Sequence, residues 1–289
     1  MIFFVVVLLL VLSVGIIRQI IPEPRAARDR RAAETREVIE KIKGMARPAL
    51  AVAPTDQLTR SRLGGEPDLP PETAWPVGPE GPLGFLGQFD LSAIQEAGGP
   101  AWLPTTGLLQ AFHDDRWGEA DQVRLILTTE PNCRRTGPPA EAPAQWRYSE
   151  VAIAFEQLTS LPSLDWLGID PRGLQPSGPA WAELAVLAGS RSKPEILHQL
   201  GGYPDEIQSE RLAITAEFMS RGLRPPAFSA SLPPEIFRRA EAWRLLLQID
   251  SDDVAGMTWM DGGRLYVLAR EDDAKAGDFS QTVTIVHTY

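Results

Sequence analysis

The chain of 289 residues has 28 Lys and Arg against 38 Asp and Glu, a net charge of −10, and 44% of its residues are hydrophobic. This composition is typical of a folded acidic protein, and its charge argues against nucleic-acid binding because phosphate backbones repel it. The single cysteine, Cys133, excludes an intramolecular disulfide and is consistent with a reducing compartment.

An uncharged apolar run opens the chain, MIFFVVVLLLVLSVGII, and two isoleucines continue it past Arg18. A helix rises about 1.5 Å per residue, so about 20 apolar residues match a hydrocarbon core of roughly 30 Å. We therefore predict a transmembrane anchor over residues 1–22. A cleaved signal peptide is the alternative, but no basic segment precedes the apolar run.

Basic residues after this run predict its orientation. Five arginines lie between positions 18 and 31, whereas the N-terminal side has only its amino group. Because positive charge favours the cytoplasmic side, we predict a single-pass protein of the inner (cytoplasmic) membrane. Its N-terminus would lie outside and its body in the cytoplasm.

Residues 23–48 are rich in Ala, Arg, Glu and Lys, which predicts a charged helical stalk. Val38, Ile39 and Ile42 form only a narrow apolar face. We favour a solvated helix; the alternative is a surface helix whose arginines hold anionic headgroups. Residues 18–48 carry a net charge of +4, so residues 49–289 carry −14.

The body, residues 49–289, contains short apolar runs separated by Pro- and Gly-rich loops. Strands and helices do not alternate regularly, so we predict an α+β fold with mixed, largely antiparallel sheets. The predicted strands are LGFLGQF, GLLQAFH, VRLILTT, VAIAFEQ, RLLLQID, RLYVLAR and TVTIVHT. The predicted helices are PAWAELAVLAG, SERLAITAEFMSRG and PPEIFRRAEAW.

A three-part order of motifs occurs twice in the body. Leu-Gly-Gly-x-Pro is followed by an apolar strand ending in Gln-x-Asp and then by a strand that begins with Gly. This order predicts an internal duplication, with halves at about 50–160 and 190–289 and a linker at about 161–180. The glycines predicted to form turns are Gly64, Gly65, Gly201, Gly202, Gly262 and Gly263.

The two Gln-x-Asp endings have a structural and a functional interpretation. In a strand, Gln88 and Asp90 point to one face, as do Gln248 and Asp250. A buried glutamine amide must be hydrogen-bonded, so the glutamines could anchor loops while the aspartates cap the next segment of chain. Alternatively, the two pairs line a shared cleft between the halves. We favour the structural interpretation.

These motifs carry a family resemblance. SRLGGEPDLPPETAWP, PLGFLGQFDLSAI, LPTTGLLQAFHDD, HQLGGYPDEIQ and LLLQIDSDDVAGMTWMDGGRLYVLAREDDAKAGDFS occur in this order, over residues 61–280. In this the body resembles the YwqG-like family, a bacterial family of unassigned function. The resemblance implies an α+β fold and, from some relatives, an immunity-like role, but it supplies no catalytic residues.

Enzymatic signatures are weak. His113-Asp114-Asp115 and His198 are isolated candidates for a metal or acid–base site, and Cys133 lies in a loop rather than at a strand-to-helix elbow. His287, near the end of the last strand, has the pattern of an ordinary sheet residue. We leave enzymatic activity open, lean against it, and predict no catalytic residue, metal or other cofactor.

Aromatic residues near the repeated motifs are the better candidates for binding. Trp75, Tyr203, Trp259 and Tyr266 could anchor an interface, although filling the core is the commoner role of such side chains. The candidate binding residues are Gln88, Asp90, Gln248, Asp250, Trp259, Tyr203 and Trp75.

Together these features predict a membrane-anchored interaction module whose acidic body recognises a basic protein partner. The alternatives are a hydrolase or small-molecule-binding protein that uses the cleft between the halves, and a purely architectural envelope protein. Binding to nucleic acid is not expected, and the anchor would be the contact with the membrane.

Overall fold

The computed structural model describes residues 24–79, 81–114, 123–164, 166–167, 169–170, 174, 178–188, 197–208, 211–225 and 232–288. The chain divides into two compact units, one formed by residues 1–44 and 168–191 and the other by residues 45–167 and 192–289.

Six α-helices, a short 3-10 helix (Ala144–Trp146) and fourteen strands are assigned within these described residues. The helices are α1 (Arg25–Gly44), α2 (Leu91–Glu96), α3 (Pro179–Ala188), α4 (Leu212–Met219), α5 (Pro234–Ala240) and α6 (Glu271–Lys275). The strands are β1 (Arg47–Pro54), β2 (Arg62–Leu63), β3 (Asp68–Leu69), β4 (Val77–Gly78), β5 (Gly81–Pro82), β6 (Gly84–Asp90), β7 (Leu108–His113), β8 (Val123–Thr128), β9 (Arg134–Arg135), β10 (Val151–Ser160), β11 (His198–Gly201), β12 (Trp243–Asp250), β13 (Arg264–Arg270) and β14 (Val283–His287).

In the first unit, helices α1 and α3 pack together. Lys43 Nζ of α1 lies 2.5 Å from Glu183 Oε1 of α3, and this contact raises the pKa of Lys43. Three residues of α1 are buried: Thr35, Ile39 and Ile42. The prediction of a solvated helical stalk over residues 23–48 was therefore wrong, because the narrow apolar face serves for packing.

The prediction of a single-pass membrane protein is not supported by the described residues, and we withdraw it. No helix among the described residues is both long enough and apolar enough to cross a membrane. The longest of them, α1, has charged side chains in every turn. The predicted span, residues 1–22, lies outside the described residues. The membrane contact, the outside N-terminus and the cytoplasmic placement of the body are withdrawn with the anchor.

The second unit is built on one ten-stranded sheet in the order β14-β13-β12-β11-β1-β10-β2-β6-β7-β8. Every pairing in it is antiparallel. Its two edge strands come together where the backbone N–H of Val123 in β8 donates to Thr284 Oγ1 in β14 at 3.1 Å. The sheet thus curves until its edges almost meet.

The predicted fold class, α+β with sheets in two related halves, needs correction. The strands of both predicted halves belong to the same sheet, and few helices accompany it. The reason is β1, which pairs with β10 on one side and β11 on the other and so joins the two sets of strands. The sequence pattern does not indicate a strand at β1, because it contains prolines at positions 48 and 54 and three alanines, which are uncommon in strands.

Alternation along the strands divides the apolar residues between two faces of the sheet. In β13, Leu265 and Val267 belong to the large core on one face of the sheet, while Tyr266 and Leu268 belong to a second cluster, with α4 and α5, on the other face. In β7, Leu109 lies in the large core and Phe112 in a third cluster. Because both faces are covered, these strands read as continuous apolar runs.

Candidate functional site

The two Gln-x-Asp strands share a local irregularity. The pairing of β6 with β7 shifts register between Phe85 and Gly87, and that of β12 with β13 shifts between Leu245 and Leu247. A register shift of this kind re-aims the side chains that come after it. In both strands the next residue is the glutamine, Gln88 or Gln248.

Gln88 is fully buried and its amide is fully used. Its Oε1 accepts the backbone N–H of Asp68 at 2.8 Å, and its Nε2 donates to Arg60 O at 2.8 Å and to Asp68 Oδ2 at 2.7 Å. Arg62 Nη2 reaches the same Oδ2 at 2.5 Å, and Gln110 Nε2 donates to Asp68 O at 2.9 Å. Gln88 therefore ties the Leu-Gly-Gly-Glu-Pro-Asp loop to the sheet.

Gln248, in β12, makes the corresponding hydrogen bonds to the second Leu-Gly-Gly-x-Pro-Asp loop. Its Oε1 accepts the backbone N–H of Asp205 at 2.9 Å, and its Nε2 donates to Leu197 O at 3.0 Å. Tyr266 occupies the position of Gln110 and donates its hydroxyl to Asp205 O at 2.8 Å. Arg264 Nη1 reaches Asp205 Oδ2 at 2.7 Å. Both glutamines thus hold the aspartate of a Leu-Gly-Gly-x-Pro-Asp loop.

The two aspartates of the motif have internal partners. Asp90 Oδ1 accepts the N–H of Ser92 at 3.0 Å and caps α2. Asp250 is buried, and its Oδ2 accepts from Leu197 N at 3.0 Å and from Arg264 Nη2 at 2.8 Å. Burial opposes the charge of Arg264, but the hydrogen bond to Asp250 and the neighbouring carboxylates raise its pKa overall.

The structure does not bring the four motif residues into one cleft. Strands β6 and β12 are separated in the sheet by β2, β10, β1 and β11. Each Gln-x-Asp pair serves the loop beside it, and the side-chain groups described above are directed to protein atoms. The arrangement matches the anchoring role of such polar residues at strand ends.

The paired glycines belong to these loops. Gly64, Gly65, Gly201 and Gly202 have φ values between +58° and +73°, where a side chain would be strained. A Cβ at Gly64 would also lie 2.1 Å from Ser149 O. Gly262 has a φ of +94°, while at Gly263 a Cβ would meet His287 O at 1.9 Å.

His198 has the partners of a structural histidine. Its Nδ1 accepts the backbone N–H of Asp250 at 3.1 Å, which places the proton on Nε2, and Nε2 lies 3.3 Å from Asp252 Oδ2. Burial lowers its pKa. Burial likewise lowers the pKa of His113 to about 3. Within the described residues, no group of His, Cys, Asp or Glu is placed to hold a metal ion.

Of the four aromatic residues proposed as anchors, Tyr266 is fully buried, and Trp259 and Tyr203 also lie in the interior. Trp259 is 1% exposed, and its ring centroid lies 5.1 Å from that of His113. Tyr203 is buried, donates its hydroxyl to Met45 O at 3.0 Å, and has the Arg47 guanidinium 4.2 Å from its ring centroid. The core role fits all three residues.

Trp75, the fourth of these aromatic residues, lines a pocket of about 200 Å³, which we call the aromatic pocket. Its aromatic walls are Trp75, Phe85 and Trp146. Trp75 Nε1 donates to Leu83 O at 2.9 Å, and its ring meets Phe112 edge-on at a centroid distance of 5.3 Å, so its orientation is fixed. The remaining lining residues are Gly65, Glu66, Leu83, Gly84, Pro138, Ala142 and Arg147.

Gly84 explains how the pocket wall is placed. A Cβ at Gly84 would lie 2.7 Å from Trp146 Cβ and 2.8 Å from Trp146 O. The first residue of β6 therefore has to be glycine for the Trp146 segment to rest on the strand. Trp146 is 7% exposed, and its Nε1 has no hydrogen-bond partner among the described residues.

Two charged side chains also line the aromatic pocket. Glu66 is half-buried, and a Cβ at Gly137 would lie 3.0 Å from Glu66 Oε1, so glycine leaves room for the carboxylate. Arg147 is exposed and its Nη2 lies 3.5 Å from Ala142 O. The pocket thus offers aromatic walls together with one charge of each sign.

Sequence reasoning missed most of this pocket. Trp146 stands in the Pro- and Ala-rich stretch PPAEAPAQWRY, where no periodic pattern points to a wall. The available signal was the tryptophan itself, because a large aromatic residue in a loop needs a surface to pack on. A second, smaller pocket of about 120 Å³ lies beside α4 and α5 and includes Trp166, Ile214 and Phe237.

Comparison with known protein families gives a match that covers most of the second unit of the chain. A family profile described as "Domain of unknown function (DUF1963)" matches residues 61–287. No curated protein matches the chain. The matched range contains both Gln-x-Asp motifs and every residue of the aromatic pocket.

Proposed function

The chain belongs to the DUF1963 family of domains of unknown function, and from this premise we propose that its body is a binding module for a basic protein partner. The observation that carries the proposal is the charge of −14 over residues 49–289. Such a charge attracts a basic surface over about one Debye length and speeds its association.

The internal hydrogen bonds support binding over catalysis. Three polar residues that the sequence offers as site candidates, Gln88, Gln248 and His198, are engaged with protein atoms. A hydrolase or small-molecule site formed by Gln88, Asp90, Gln248 and Asp250 remains the second candidate, but these bonds count against it. A ligand in that site would have to displace bonds that hold the loops.

We also propose that the finer relationship is to the YwqG-like family. The basis is the order of the motifs Leu-Gly-Gly-x-Pro-Asp, Gln-x-Asp and the Gly-led strand. An immunity-like role, in which the acidic body neutralises a basic protein, fits this proposal. No catalytic residue is implied by the relationship.

The test is co-purification of the full chain at low and then at high salt, followed by mass spectrometry and reconstitution with the purified partner. We expect a stoichiometric partner with a basic surface that is lost at high salt, because screening weakens long-range attraction. Absence of a partner at either salt concentration, or an acidic partner that high salt does not release, would overturn the proposal.

A further inference from the structure

We propose that the aromatic pocket binds an arginine side chain of the basic partner, an inference that rests on the proposed function and names the contact within it. The size of the pocket is the first argument. Its volume of about 200 Å³ falls below the roughly 300–1,000 Å³ of pockets that enclose whole small molecules. A single side chain that inserts from a partner surface suits this volume.

The wall chemistry is the second argument. Three aromatic residues, Trp75, Phe85 and Trp146, line the pocket. Aromatic faces attract cations, and a planar guanidinium stacks on them better than an ammonium does. The described residues show this contact elsewhere, with Arg47 at 4.2 Å from the ring centroid of Tyr203 and Arg270 at 4.8 Å from that of Trp243.

Charge is the third argument. Glu66 supplies a half-buried carboxylate in the pocket, and a carboxylate pairs with the fork of a guanidinium through two hydrogen bonds. Arg147 opposes a cation, but it is exposed and therefore screened by solvent. The surrounding body, at −14, favours a cationic ligand over an anionic one.

The opposite charges of Glu66 and Arg147 make the inference sharply testable. The probes are N-acetyl-arginine amide and its uncharged analogue N-acetyl-citrulline amide, added to the full chain. Binding is monitored by NMR of the indole N–H groups, assigned with Trp75→Phe and Trp146→Phe. We expect arginine to shift the signals of Trp75 and Trp146, and citrulline to bind at least about tenfold more weakly.

Two substitutions that remove one charge each should act in opposite directions. Glu66→Gln should weaken arginine binding by about threefold, and Arg147→Gln should strengthen it by about as much, as for exposed ion pairs. The matched control is Glu72→Gln, which removes an exposed carboxylate that does not line the pocket. It should leave binding unchanged.

Several results would overturn the inference: equal binding of citrulline, no binding of arginine, or a reversed order of the two charge variants. The last result would assign the pocket to an anion. A salt-sensitive basic partner that binds the Glu66→Gln and wild-type chains equally would sink this inference and leave the proposed function standing. Arginine binding without any basic partner would overturn the proposed function and the assignment of the arginine to a partner, while the preference of the pocket for a guanidinium would stand.

Discussion

At the scale of single residues, the buried glutamine amides form hydrogen bonds with main-chain groups of the neighbouring loops. Gln88 satisfies the N–H of Asp68 and the carbonyl of Arg60, two main-chain groups that strand pairing leaves over. An unpaired buried polar group costs about 1–3 kcal/mol. Gln88 therefore stabilises the fold chiefly because its removal would leave these two main-chain groups without a hydrogen bond.

Replacing Gln88 with Leu, which has a similar volume, should lower the free energy of unfolding by about 2–4 kcal/mol, because two main-chain groups would lose their partner. Urea unfolding monitored by circular dichroism measures the change. Gln57→Leu is the control, since Gln57 is exposed. A Gln88→Leu protein as stable as the control would mean that water reaches and satisfies these groups.

Burial of His113 predicts a pH dependence of stability. Its folded pKa is lowered from 6.5 to about 3, so the unfolded state binds a proton first as the pH falls. Stability is therefore full above 6.5 and decreases as the pH drops from 6.5 toward 3, by about 1.4 kcal/mol per unit.

Urea unfolding one pH unit above and one below 6.5 tests this, with His113→Phe for comparison. The wild-type protein should lose about 1 kcal/mol more than the variant between the two conditions. His198, whose pKa burial also lowers, keeps part of the dependence in both proteins. Equal losses would show that His113 is protonated in the folded state.

At the scale of elements, β6 supports both the sheet and the aromatic pocket. Its first residue, Gly84, lets the Trp146 segment approach, and Phe85 forms a wall. The strand therefore fixes the position of two residues that line the pocket. A larger residue at position 84 should therefore change the pocket through its contact with Trp146.

Gly84→Ala should displace Trp146 and lower the free energy of unfolding by about 1–3 kcal/mol, as overpacking does. It should also abolish the arginine-induced shift of the Trp146 indole signal. Gly44→Ala is the matched control, because a Cβ there meets nothing within 4 Å. An unchanged Trp146 signal in Gly84→Ala would show that the loop accommodates the methyl group.

Sequence reasoning located the strands well and their assembly poorly. All seven apolar runs coincide with strands, because strands that are buried on one or both faces carry a clear hydrophobic signal in the sequence. Strand β1 was missed because Ala and Pro dominate it, and only its pairing with β10 and β11 makes it a strand.

The pocket could be predicted only in part for a related reason. Trp75 could be identified as a candidate from its position beside a repeated motif. In the sequence, Phe85 has the pattern of an ordinary strand residue and Trp146 that of an ordinary loop residue. Their meeting depends on a close approach at Gly84, which no local pattern encodes. Partners that lie about sixty residues apart are set by tertiary packing.

At the scale of the whole sheet, the contact of β8 with β14 brings the two edges of the sheet together. Free strand edges are sites of aggregation, and closure protects them. The contact is a hydrogen bond from Val123 N to Thr284 Oγ1, and Thr284 is buried.

Thr284→Val keeps the side-chain shape and removes the acceptor, so the free energy of unfolding should fall by about 1–2 kcal/mol. Relative to the wild-type protein, the rate of hydrogen exchange measured by mass spectrometry should rise more in β8 and β14 of the variant than in β1. Thr106→Val, at an exposed position, is the control. Uniform exchange across all strands would mean that the edges do not open separately.

The central position of β1 has a consequence for synthesis of the chain. This strand, residues 47–54, finds its partners only in residues 151–160 and 198–201. At about 5–20 residues per second, a ribosome needs roughly 5–20 s to deliver the first of them. During that interval the nascent chain carries an unpaired strand, and such distant pairings also slow folding after release. Truncated chains that end before β10 should therefore depend on chaperones, whereas the complete chain should not.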